Sequence, residues 1–181
     1  MQALPSDMRV AVFKIVLKNG GKKEYDEVKG YFATASDNAE KKHVLNALGA
    51  TKDEKLKMDT LDWTCGGEVK LQDFFYTLGS VHRSGPVGMQ MTWRYFQDNF
   101  EKMKGMVGKA SASLMDAVIV FSCGGFASEE KANEIEEFFK KNPMPQNQRK
   151  IDQMLEAMRT NGQFLARLQV ELGADRSWIV V

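Results

Sequence analysis

The stretch Arg83–Met103, RSGPVGMQMTWRYFQDNFEKM, decides how the rest of the chain is read. Pro86 suits the first position of a helix, where its fixed φ is already helical and its missing N–H is no loss. Ser84 and Gly85, just before it, have the chemistry of a cap and a turn. Met89, Trp93, Phe96, Phe100 and Met103 then fall at steps of four, three, four and three. That spacing predicts one helix over 86–103 with a single apolar side. Gln90, Arg94, Gln97, Asp98 and Glu101 take the other side. A stripe this aromatic has to bury itself against further helices.

The flanking segments supply them. Upstream, Ser6 or Asp7 caps a helix over 8–18 that is apolar nearly all the way round and stops at Asn19-Gly20-Gly21. A helix of that kind expects cover from more than one direction. A second helix covers about 23–35. Asp37-Asn38-Ala39-Glu40 reads as a capping box for a third, to Leu48, with Gly49 as the residue after its end. Thr51-Lys52-Asp53-Glu54 is a second box, leading through Leu56 and Leu61 to about Trp63. A fifth helix near 70–81 carries Leu71, Phe74, Phe75 and Leu78.

Downstream of Gly105–Gly108, Ser111 or Ser113 begins a short helix with Leu114, Val118 and Phe121. Ser128-Glu129-Glu130 opens the next, its acids favourable to the helix dipole. Pro145 opens a long last helix with Ile151, Leu155, Met158 and Leu165 in register, a register that Gly162 interrupts. The tail Asp175–Val181 has no assigned form. No segment alternates with period two between hairpin turns. The expected fold class is all-α, an irregular α-solenoid of antiparallel helical hairpins with about eight or nine helices, forming one domain over 1–181.

Composition bounds the function. The 181 residues hold 25 basic and 24 acidic side chains, a net charge of +1, which gives no pull toward nucleic acid or an anionic membrane surface. No run approaches a membrane span, and MQALPSDMRV lacks the regions of a signal peptide. Cys65 and Cys123 stand far apart without metal-ligand spacing and read as buried, reduced thiols in a cytoplasmic setting, with a disulfide between them as the alternative.

H-E-x-x-H, G-x-x-x-x-G-K-[ST], C-x-x-C and G-x-S-x-G are all absent, so no catalytic residues and no metal ligands are assigned. His43 and His82 lack acidic or cysteine neighbours at ligand spacing. The local feature to watch is His82-Arg83-Ser84-Gly85, a cationic turn between two helices, because loops carry function more often than helix faces do.

The order of motifs resembles the C-terminal helical domain of zinc aminopeptidases of the puromycin-sensitive / aminopeptidase N type. The matching features run from Asp7-Met8-Arg9 through EKKHVLNALGA (40–50), Glu68-Val69-Lys70, Gln72-Asp73 and Leu78-Gly79-Ser80-Val81. Pro86-Val87-Gly88 ahead of Trp93 is similar to that family's N-P-x-G turn, with Gly85 in place of the usual Asn. Phe126-Ala127-Ser128-Glu129-Glu130, Phe138-Phe139 and Asn142-Pro143 complete the series, which spans Leu4 to Leu168.

The resemblance implies a HEAT-like superhelix that closes over a separate catalytic domain and contacts the distal part of peptide substrates. In that family the zinc, its H-E-x-x-H…E ligands and the G-A-M-E-N motif belong to the catalytic domain, so no cofactor is expected in this chain. The implied partners are the upstream domains of a longer chain and peptides, with no nucleic acid and no membrane. Arg83, with His82 beside it, is the candidate seat for a peptide's terminal carboxylate, a group that a guanidinium suits. The alternative is a free-standing helical-repeat interaction module.

Overall fold

The computed structural model describes residues 5–171. Leu4 and the tail Asp175–Val181 lie outside the described residues. Ten α-helices and no strand occur among the described residues: α1 Ser6–Asn19, α2 Lys22–Thr34, α3 Asn38–Ala47, α4 Glu54–Cys65, α5 Phe74–His82, α6 Pro86–Asp98, α7 Phe100–Met103, α8 Ala112–Cys123, α9 Glu129–Lys141 and α10 Gln148–Glu171. The class is all-α. The chain divides into two compact units, the first ending at Ser122 and the second starting at Cys123.

The helix count exceeds the expected eight or nine because the decisive stretch is broken. Asn99 takes φ −114°, ψ 15°, and its side-chain amide donates to the Tyr95 carbonyl at 3.0 Å, competing with the backbone ladder. The apolar stripe survives the break: Trp93, Phe96 and Met103 have no exposed surface and Phe100 is buried, while Met89 is half-buried. Each such side chain contributes about 1.5–3 kcal/mol by burial. Beyond α7 the chain turns through a wide π-helical segment, Lys104–Gly108.

In the first unit α3 packs on α1, α2 and α5, and α5 in turn on α4 and α6. Leu17, Tyr25, Val44, Leu45, Leu48 and Trp63 belong to one core cluster. Several helix ends differ from the sequence reading, the first of them at α1, where Ser6 and Asp7 lie inside the helix and no side chain caps it. Gly49 lies in a 3-10 turn, Leu48–Ala50, and is not a left-handed cap. A Cβ there would stand 2.2 Å from the Ser80 carbonyl carbon, so its role is to let α5 come close. The cap of α4 is Asp53 instead of Thr51; its carboxylate accepts from the Lys55 and Leu56 amides at 2.8 and 3.3 Å. Lys57, buried, then donates to the Gly49 carbonyl at 3.2 Å and to that of Thr51. Burial lowers its pKa.

α1 covers Leu17 but leaves Met8, Ile15 and Val16 exposed, and with α2 it walls a groove of about 480 Å³ lined by Val12, Phe13, Val28 and Tyr31. Arg9, at the rim of that groove, pairs with Glu40.

In the second unit Ser128 caps α9 by accepting from the Lys131 amide at 3.2 Å. α9 buries Ala132, Ile135 and Phe139; α10 buries Ile151, Leu155 and Met158. Leu165, expected in the same register, is 44% exposed, and the helix runs through Gly162 without interruption. A Cβ on Gly162 would lie 3.2 Å from the Ser128 amide nitrogen, so this glycine marks where α10 passes the start of α9.

Candidate functional site

The turn between α5 and α6 is built from a few short contacts. The amides of Arg83 and Ser84 donate to the carbonyls of Gly79 and Val81, each at 3.0 Å. Ser84 Oγ also donates to the Val81 carbonyl, at 2.6 Å, so this serine finishes α5 instead of capping α6. Gly85, at φ +128°, turns the chain through a region that L side chains avoid, and Pro86 starts α6. A Cβ on Gly88 would sit 2.0 Å from the Val81 carbonyl oxygen. The first turn of α6 therefore rests directly on the last turn of α5.

This geometry aims Arg83. A Cβ on Gly79 would lie 2.8 Å from Arg83 Nη1, so the side chain folds back along α5 over that glycine. Its guanidinium comes to rest 5.0 Å above the Phe121 ring of α8. Phe121 is itself stacked on Phe75 of α5, with centroids 6.3 Å apart and planes 10° from parallel. Arg83 is exposed and forms no ion pair among the described residues. Its N–H donors remain available.

His82 lies beneath the turn. It is 8% exposed and stands edge-on to Phe121 at 6.4 Å. Its Nδ1 is 3.3 Å from Thr92 Oγ1, and that hydroxyl donates its proton to the Met89 carbonyl. Nδ1 must therefore carry the hydrogen and donate to Thr92. Burial, with Arg83 next to it, lowers the pKa of His82 to about 4, so the ring is neutral at pH 7. The pair read together in the sequence takes two forms: Arg83 faces solvent, and His82 holds the ring on which Arg83 rests.

Sequence reasoning missed Phe75 and Phe121. Gly79, four residues before Arg83, was legible as sharing its helix face. Phe121 carries no local sign that it serves α5.

Cys65 and Cys123 are buried and form no disulfide, and desolvation raises both thiol pKa values. No group of three or more His, Cys, Asp or Glu among the described residues could hold a metal ion, so a zinc site does not fit these residues. No described helix is long and apolar enough to cross a membrane.

A family model described as the ERAP1-like C-terminal domain matches residues 1–160. Among curated proteins, the chain is 26% identical over 171 residues to aminopeptidase M1-B of Oryza sativa subsp. japonica and 28% identical over 171 residues to aminopeptidase M1 of Arabidopsis thaliana. Each match takes in 93% of this chain and 19% of the relative. Puromycin-sensitive aminopeptidase of Caenorhabditis elegans is 27% identical over 169 residues, 88% of this chain and 17% of that protein. The chain thus spans about a fifth of the length of these relatives.

Proposed function

The chain belongs to the ERAP1-like C-terminal domain family, and from that premise we propose that it is the non-catalytic helical domain of a zinc metallo-aminopeptidase. Its helices form a HEAT-like wall that encloses the peptide chamber, and Arg83 contacts the distal end of a peptide. The observation that carries the role of Arg83 is its unspent guanidinium, held on Phe121. A carboxylate meeting that fork gains two parallel charge-assisted hydrogen bonds. His82 positions the aromatic support without touching the peptide. The apolar face of α1, with Met8 and Ile15 exposed, supports a contact with the upstream domains of a longer polypeptide. Catalysis belongs to those domains, where the zinc resides by family resemblance, and the working compartment in this reading is the cytoplasm.

The test is a pair of assays. The 181-residue chain alone, with and without added zinc, is expected to leave an aminoacyl-coumarin substrate intact, and clear turnover by it refutes the reading. In the longer enzyme, Arg83→Ala is expected to raise KM for peptides with a free C-terminal carboxylate by about tenfold, the worth of one charge-assisted contact. C-terminally amidated peptides and the coumarin substrate should be unaffected. An equal loss on all three substrates removes Arg83 from peptide recognition.

A further inference from the structure

A second concave site lies in the first unit, between α2 and α4. It is a cavity of about 300 Å³ whose walls include Lys29, Phe32, Trp63 and Glu68. Phe32 and Trp63 meet edge to face at 4.9 Å and make one wall aromatic. Trp63 is 7% exposed, and its indole N–H, itself out of reach of solvent, has no hydrogen-bond acceptor among the described residues. The Lys29 ammonium lies 5.0 Å over the Trp63 ring and forms no ion pair among the described residues. Glu68 is exposed and also has no partner among them. Asp26, which also lines the cavity, is already spent on Lys22, with both oxygens 2.9 Å from its ammonium.

The site therefore offers a cation and an anion, neither in an ion pair among the described residues, and an aromatic wall. Those features match the parts of one small molecule, whose carboxylate faces Lys29, whose ammonium faces Glu68, and whose apolar body lies on Phe32. We propose that the cavity beside Trp63 binds a free α-amino acid with an apolar side chain. Its volume is at the lower end of the range for small-molecule sites, roughly 300–1,000 Å³, as a single amino acid requires. The residues select this ligand by themselves. That such zwitterions are what N-terminal trimming releases, making the cavity a product sensor, rests on the function proposed above.

The experiment titrates L-leucine into the 181-residue chain and follows the Trp63 indole N–H by heteronuclear NMR. A saturable shift at millimolar ligand is expected, with leucinamide and N-acetyl-leucine each bound at least about tenfold more weakly, because each lacks one charge. Lys29→Met and Glu68→Gln should each cost about tenfold as well. Gly30 lies in α2 on the lining of the same cavity, and a Cβ there meets nothing within 4 Å. Gly30→Met should therefore fill the space and abolish the shift while improving helix propensity and leaving the fold intact. No saturable shift, equal binding of the two analogues, or undiminished binding to Gly30→Met would each overturn the proposal. The measurement needs no catalytic domain, so its failure is separate from any failure of the aminopeptidase reading.

Discussion

The α5–α6 turn and the α9–α10 hairpin use the same residue types, an arginine and a close-packed glycine, to opposite ends. In the hairpin Arg159 is consumed: Nε donates to Glu129 at 3.1 Å, and Nη2 to Asn133 at 2.9 Å and Glu136 at 3.0 Å, all on α9. In the turn Arg83 has a ring beneath it and no ion pair among the described residues. A clamp spends its donors on its own fold, whereas a binding group has to be held by contacts that leave them unspent. Aromatic support does that, since a cation–π contact orients a guanidinium from its face and leaves the N–H groups at its edge.

The glycines give the largest way to break this contrast. Gly88→Ala drives a Cβ into the Val81 carbonyl at 2.0 Å, where backbone is the obstacle. It is expected to cost about 3 kcal/mol or more, beyond the ordinary overpacking range, in urea denaturation. Gly162→Ala meets backbone only at 3.2 Å and gains about 1 kcal/mol of helix propensity, so its net effect should be close to zero. Equal costs at the two positions would remove the close approach that aims Arg83.

The next effect is on pH dependence. The folded pKa of His82 is depressed to about 4, against about 6.5 in the unfolded chain. Between those values the unfolded state binds the extra proton and the folded state does not. The stabilising contribution is thus complete above pH 6.5 and is lost as pH falls toward 4, at about 1.4 kcal/mol per unit. His82→Gln should flatten that part of the stability profile. An unchanged slope would mean that the ring is not held neutral beneath Phe121.

The smallest effect separates the arginines directly. Arg159→Ala should lower the melting temperature, less so at high salt, because exposed ion pairs are screened. Arg83→Ala should leave it nearly unchanged. A larger loss at Arg83 would make it a structural clamp like its counterpart.

Much of the fold was legible because helix signals are local. Asp37 and Ser128 cap α3 and α9 as read, since a cap needs only an oxygen within three residues of the amide it accepts from. Pro86 opens α6, and the stripe from Trp93 to Met103 is buried even though the axis breaks at Asn99. The Arg83 turn stood out as a cation among turn residues. Its neighbours did not, because Phe121 lies in α8 and no periodicity links it to α5.

By itself, the sequence determined an all-α chain, the starts of most helices and the faces they bury, because hydrogen bonds to the fourth residue back and a 3.6-residue period are properties of neighbours along the chain. Only the tertiary structure decided that Gly49 and Gly88 are points of close approach, that Leu165 faces outward, and that Arg83 rests on Phe121 while His82 lies beneath. Those outcomes depend on which helices meet and how closely, a matter of shape between segments distant in sequence that no local pattern encodes.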